Sequence, residues 1–406
     1  MIDISLQKRR KYTYVMNADD KVVETSSKMQ NEKRGYNWPA IFYLLLVPTL
    51  AITLLPMALE QGVFTKAFII YFLIHFSIDS LCITVGYHRL ISHRAYEAHP
   101  VVKALILFFG AGAFQNSAMI WSMDHRVHHR EVDTDDDPYS INKGFFYAHF
   151  LWMFEKPKKY TESQIPPDLR KDKMIRFQDR YYIPLAILVA VGLPVLFGWI
   201  MGSVFAGFYV GAALRLLCSG HCTFLINSAA HVIGTRPFSI HCTARDNWFL
   251  SILTFGEGYH NYHHRFQADY RNGLAWYAWD PSKWIIYGLS KVGLTSKLNR
   301  MAAEKVRLAR MEVAELRLET KGLDVCALVK ERTELTQIFE KMIALRAEAE
   351  RIRSEGKRKY GEAEAALLKA YRLKIAELRK SSNEAIKRWK TQRKIIKSIP
   401  RVMIAG

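Results

Sequence analysis

Between Arg180 and Arg215 the chain carries no charged side chain. A membrane-spanning helix needs only about 20 residues at ~1.5 Å each, so this stretch is too long for one crossing, and the segment Gly198 to Ser203 breaks it. It reads as two spans, the second running on through Arg215 towards Asn227 and His231 and projecting beyond the bilayer. Trp38 to Leu59 is uncharged over 22 residues and reads as another span. Ala67 to Tyr87 reads likewise, with His75 and Asp79 turned to the protein interior, because polar groups at membrane depth face inward. A fifth apolar run, Val101 to Trp121, is long enough to cross by hydropathy alone.

The flanks bound the rest. The N-terminus, MIDISLQKRRKYTYVMNADD, has no apolar core of a signal peptide, so insertion is expected to use the internal spans. Five cysteines (Cys82, Cys218, Cys222, Cys242 and Cys326) form no CxxC pair, which fits inert thiols in a reducing compartment. From Lys297 onward 28 Lys and Arg face 15 Asp and Glu, so +13 of the chain's +20 lies in the tail. Composition therefore divides the chain into a polar segment 1–34, a membrane domain 35–295 and a basic helical tail 296–406.

Histidine placement decides the topology. His260, His263 and His264 crowd into FGEGYHNYHHRF, a spacing of i, i+3, i+4 that puts three imidazoles on one helix face. His88 and His93 lie in HRLISH, His125, His128 and His129 in HRVHH, and Asn227 and His231 in NSAAH, so the four clusters use nine of the fourteen histidines. Four clusters beside predicted spans argue for one shared metal site. One site lies on one side of the membrane, and HRLISH and HRVHH flank the Val101–Trp121 run, so that run cannot cross; Lys103, Gln115 and Asn116 suit an interfacial or re-entrant path. Four crossings then leave both termini and all the clusters on one face. The basic stretch Lys8 to Lys11 and the basic tail place that face in the cytoplasm.

Nine imidazoles exceed the capacity of one ion, since zinc closes at four ligands, so two metals are implied. Imidazole suits zinc, copper, iron and nickel, and both hydrolysis and oxidation of a lipid-like chain stay open on ligand type alone. Zinc activates water but not oxygen, whereas iron does O₂ chemistry on unactivated hydrocarbon.

HRLISH, DHRVHH, NSAAH with GTRP behind it, and GEGYHNYHHRF, in that order, resemble the membrane fatty acyl desaturases, specifically the delta-9 acyl-CoA (stearoyl-CoA type) branch, over roughly residues 35–295. The neighbours of these boxes separate the branch from alkane hydroxylases and carotenoid oxygenases. The resemblance implies an all-α integral membrane protein: four transmembrane helices under a cytosolic helical cap, followed here by a helical, coiled-coil tail. It implies two irons, one held by His88, His93, His125, His129 and His264, the other by His128, His231, His260 and His263 with Asn227 reaching it through a water; zinc would be an artefact of overexpression. It implies O₂-dependent removal of two hydrogens from a saturated acyl-CoA to give a cis double bond, with the acyl chain in a kinked tunnel near Gln115, Asn116 and Trp121. No HPGG haem box occurs, so electrons are expected from a separate protein: a bacterial ferredoxin, a cytochrome b5-type carrier or a reductase.

The match has gaps. The position before Asp124, basic in the animal enzymes and bound to the CoA head group, is Met123, and of a basic pair after FFYAHFLW only Lys156 is kept, Pro157 replacing the second with Lys158 beside it. Acyl chains on phospholipid or carrier protein therefore stay open as substrates, as do hydroxylation and a non-catalytic membrane scaffold. Asp124 reads either as the partner that orients His125 or as a surface carboxylate, and Trp121 as a tunnel wall or an interfacial anchor. VDTDDDP (132–138) lacks the glycine and terminal glutamate of a calcium loop and reads as a turn in the cap. His75, His99, His149, His221 and His241 read as structural or solvent-facing.

In the tail, Leu328, Leu335, Ile338, Met342, Leu345, Ala349 and Ile352 keep heptad-like spacing, GKRKYG interrupts, and Leu368, Tyr371, Ile375 and Leu378 resume it. Two helices follow, to fold back as a hairpin or to pair with a second copy. Their charge suits an anionic lipid surface or an acidic electron donor. No nucleic-acid reading motif appears.

Overall fold

The computed structural model describes residues 35–157, 160–360 and 363–398; Lys8–Lys11 and Lys158 lie outside them. Three helices are long and apolar enough to cross a membrane: α3 (Lys66–Ser92), α6 (Tyr182–Ile200) and α7 (Val204–Val232). The first apolar run folds as two shorter helices, α1 (Trp38–Thr53) and α2 (Leu55–Glu60), which meet at Leu54. Pro56, in the first turn of α2, has no N–H to carry the ladder across. Tyr209 of α7 donates to the Ala51 carbonyl of α1 at 2.8 Å, so α1 packs against the long helices.

The α6–α7 hairpin closes on two glycines. A Cβ at Gly198 would sit 2.6 Å from the Ser203 carbonyl oxygen and one at Gly207 2.3 Å from that of Pro194, so only hydrogen fits where the helices touch. Arg215 of α7, wholly buried, pairs with Asp79 of α3 and donates Nε to the Gly211 carbonyl at 2.8 Å and Nη2 to that of Ala190 at 3.2 Å. His75 and Asp79 do face the interior, and Arg215 is the partner that lets Asp79 do so.

The run Val101–Trp121 is not one helix. Helix α4 (Pro100–Ala111), capped by His99 Nδ1, stops after 12 residues, Phe114 and Asn116 take positive φ (57° and 75°), and α5 (Ala118–Glu131) starts anew from its Ser117 cap. At ~1.5 Å per residue α4 is too short to cross. A small antiparallel pair, β1 (Glu97–Ala98) with β2 (Thr295–Ser296), ties the start of α4 to the chain after α9 (Pro281–Lys291), and the fourth histidine cluster lies on α8 (His260–Arg265).

The tail forms α10 (Ala303–Glu319), α11 (Cys326–Tyr360) and α12 (Ala363–Ser398). At Gly356 (φ 56°, ψ −158°) the α11 backbone leaves helical geometry, and α12 folds back so that Arg388 meets Glu331 and Glu334. The apolar stripe is consumed within one chain: Leu328, Leu335 and Met342 pack with Ala385, Ile386 and Trp389, and with Met311 and Leu318 of α10. Of the two arrangements open to the tail, the structure takes the hairpin.

Candidate metal centre

The five-residue spacing of HRLISH needs a special backbone. From Cys82 to Ser92 helix α3 widens into π-turns, and the His93 N–H bonds the His88 carbonyl five residues back at 3.1 Å. A π-turn brings i and i+5 to one face, and such bulges mark functional sites; the two rings stand 4.8 Å apart. On α5, His125 and His129 are one α-turn apart and face the same way, while His128 points aside.

Nine imidazoles converge as two groups, within each of which the ligand nitrogens lie within 4.8 Å of one another: His88, His93, His125, His129 and His263, and His128, His231, His260 and His264. In the first, Nε2 of His263 approaches those of His88 and His129 at 2.9 Å, as His93 does His125. In the second, His260 lies 3.1 Å from both His231 and His264, and His264 3.3 Å from His128. So many inward nitrogens and so few donors between them are the donor set of a metal cage. The split differs from the expectation, which gave His264 to the first group and His263 to the second. Helix geometry explains it: His260 and His264, four apart, nearly eclipse one another, whereas His263 is turned about 100° from His264. Asn227, half-buried, ends the straight part of α7 one turn before His231.

Three of the outer nitrogens have close polar neighbours. His88 Nδ1 lies 3.0 Å from Glu257, His128 Nδ1 2.9 Å from Asp137, and His231 Nδ1 2.7 Å from Thr243, whose hydroxyl donates to Asp133 at 2.6 Å. Such partners fix tautomer and ring orientation. Asp133 and Asp137 come from VDTDDDP, read from sequence as a cap turn; it is a turn, and its carboxylates serve the histidines. Glu257 is itself anchored by Arg89 at 3.0 Å and Asn272 at 2.8 Å, and Arg89 also meets Asp280 at 3.0 Å. A Cβ at Gly256, φ +107°, would lie 2.4 Å from Asp280, so glycine lets the GEGYH turn approach this cluster. Sequence reasoning missed Arg89, Glu257 and Asp280; Arg89 and Glu257 stand beside ligand histidines in HRLISH and GEGYH, which was the available signal, whereas Asp280, sixteen residues beyond His264, gave none.

Burial, reinforced by neighbouring imidazoles, holds His93, His125, His129, His260, His263 and His264 well below the ordinary histidine range. Neutral imidazole is the form that binds metal. Burial works against the Asp137 and Glu257 carboxylates, yet His128 holds Asp137, and His88 with Arg89 holds Glu257, below the usual range.

Of the remaining candidates, Trp121 and Gln115 stand beside the first group, and Asn116 and Asp124 are engaged elsewhere. Trp121 stacks on His125 at 4.8 Å and donates Nε1 to Gln115 at 3.3 Å, and Gln115 donates to Thr223 of α7 at 2.9 Å. Asn116 is exposed and its backbone N–H donates to Tyr182. Asp124 accepts from Tyr160 at 2.7 Å, while Tyr139 stands 3.3 Å from His125 Nδ1, the place expected for Asp124. Met123 is packed in the core among Ile175 and Leu169, remote in character from a head-group contact. His149 and His221 pair at 3.1 Å, and His99 is a helix cap, in keeping with structural roles.

Long apolar helices beside two histidine groups that could each hold a metal ion point to a membrane protein with a metal-binding donor set. Residues 63–287 match the fatty acid desaturase family, and the chain belongs to it. It is 40% identical over 286 residues to a probable acyl-CoA desaturase of Schizosaccharomyces pombe, covering 69% of this chain and 58% of that protein. To acyl-CoA desaturase 1 of Saccharomyces cerevisiae it is 41% identical over 249 residues (61% of this chain, 49% of that one), and to the sn-2 palmitoyl-lipid 9-desaturase of Nostoc 37% over 230 residues (55% and 79%). The chain thus spans about half the length of the yeast relatives it matches.

Proposed function

We propose that the chain is an O₂-dependent acyl-CoA desaturase that places a cis double bond at the delta-9 position, with two irons held by the nine histidines and Asn227 completing the second set. The observation that carries this is the pair of histidine groups, each lined by converging imidazole nitrogens and braced from outside by Glu257, Asp137 and Thr243. Iron bound there supplies oxidation of an unactivated hydrocarbon at the expense of O₂. The protein's own residues supply the rest. The braces keep Nε2 of His88, His128 and His231 inward, burial keeps water out, and Trp121 with Gln115 walls the space beside the first group where an acyl chain would lie. In this reading α1 with α2 makes the first of four crossings, the histidine end and both termini face the cytoplasm, residues 35–295 form the catalytic unit under its cap, and a separate redox protein delivers electrons.

The Nostoc relative is named for acting on a palmitoyl lipid, and buried Met123 offers no charge to a CoA head group, so a phospholipid-bound acyl chain is the second reading. Purified iron-loaded protein given a chemical or enzymatic reductant, O₂ and either stearoyl-CoA or a saturated phospholipid tests both. Gas chromatography is expected to show a monounsaturated product from the thioester; product from phospholipid alone would move the assignment to the second reading, and product from neither would overturn it.

A further inference from the structure

Helices α10 and α12 leave, against Pro237 of the metal-binding domain, a cleft of about 380 Å³, a size typical of small-molecule sites. Its floor is Val313, Ala314 and Leu318, and its walls carry five cations, Arg310, Arg317, Lys321, Arg393 and Lys397, with no carboxylate. Like charges gathered in one concave site repel one another unless a counter-charge is present. The nearby carboxylates are engaged elsewhere: Glu312 holds Arg265, Glu315 holds Arg332 and the Trp389 indole, and Glu331 with Glu334 holds Arg388. Among the described residues none of the five cations forms a salt bridge, and only Arg310 feels a carboxylate at longer range, that of Asp246. Arg310 lies over the Phe238 ring, Arg317 donates to the Arg236 carbonyl, and Arg393 lies over Trp389 with its Nε buried and unbonded. A buried donor left without an acceptor is costly.

We propose that this cleft binds a small anion carrying two or more phosphate charges, either free in solution or as the head group of an anionic lipid. Three arginines present the planar forks that match phosphate oxygens, and two lysines add mobile charge. Five positive charges around one cleft exceed what a single carboxylate neutralises, which selects a multivalent ligand. A larger cleft of about 530 Å³ shares Arg310 and adds Arg307 and Lys390, extending the positive field without changing its sign. The site joins the tail to the segment that begins at Arg236 and reaches Thr243, the residue holding His231. Its occupant therefore clamps the tail to the structure behind the second histidine group.

The test uses the full-length, metal-loaded protein in neutral detergent, titrated calorimetrically with pyrophosphate, with ADP and with dioctanoyl phosphatidic acid. Saturable one-to-one binding of pyrophosphate or ADP assigns a soluble ligand, and binding of the phosphatidic acid alone assigns a lipid head group. Lys321→Gln with Lys397→Gln, both at exposed positions, is expected to weaken that binding roughly tenfold or more, and Arg393→Gln to do the same. Lys374→Gln with Lys380→Gln, exposed on α12 outside the cleft, is expected to leave it unchanged. Saturable binding of none of the three probes, or equal weakening by the two lysine pairs, would overturn the proposal.

Discussion

His263 and His264 are neighbours in the chain, yet His263 Nε2 stands 2.9 Å from His88 and His129 while His264 Nε2 stands 3.1 Å from His260. One helix thus feeds both histidine groups, and rotation between consecutive residues does the dividing. If the groups hold separate ions, His263→Ala and His264→Ala should each lower metal content from about two per chain to about one. Plasma emission spectrometry on purified protein reads this directly. Loss of both ions from either variant would show that the groups do not load independently.

Asp137 reaches only the second group, through His128 Nδ1 at 2.9 Å. Asp137→Asn keeps the shape but removes the charge that favours one tautomer and raises ligand basicity. Outer partners of this kind are worth about 10–100-fold in metal affinity. Competition with a chelator should therefore strip one ion from this variant at lower chelator concentration, leaving the other as tightly held as in the parent.

Three of the boxes were legible because each places two or three imidazoles within one or two helical turns, and NSAAH, with its single His231, because it too lies beside an apolar run. Their three-dimensional division was not. The π-turns that bring His88 and His93 together leave no pattern in HRLISH, since hydropathy does not register a change from four- to five-residue hydrogen bonding. Asp133 and Asp137 looked like turn residues because they are, and a turn can brace a ligand only once its fold is known. Asp124, adjacent to His125, was the natural brace by proximity in sequence, but neighbouring side chains on a helix diverge by about 100°, and Tyr139 occupies the place instead. The tail's stripe foretold its helices; burial of Trp389 between α10 and α11 decided that they close on themselves.

The histidines also set a pH dependence. Unfolded, each titrates near 6.5; folded, burial holds His260, His263 and their neighbours well below that. The unfolded chain thus binds more protons below about pH 6.5, so this contribution is fully present above that value and is lost as pH falls towards the folded values, by on the order of 1.4 kcal/mol per pH unit for each histidine involved. Metal-free protein should melt at progressively lower temperature at pH 7.5, 6.5 and 5.5. A flat series would mean that these imidazoles are solvated in the folded chain.

Arg215 and Asp79 are both wholly buried, paired between α7 and α3, in helices apolar enough to lie in lipid. Removing one partner strands the other charge: Asp79→Asn should destabilise the protein by about 3–5 kcal/mol, because Arg215 keeps its positive charge where neither water nor a carboxylate can meet it. Replacing both with apolar residues removes charge and counter-charge together and is often neutral or better at buried pairs. Asp79→Leu combined with Arg215→Met should therefore recover most of the stability lost by either single change, measured by unfolding in mixed micelles. The recovery is limited by the Gly211 and Ala190 carbonyls that Arg215 now satisfies. A double variant as unstable as the sum of the singles would show that the pair matters for its hydrogen bonds rather than for its charge balance.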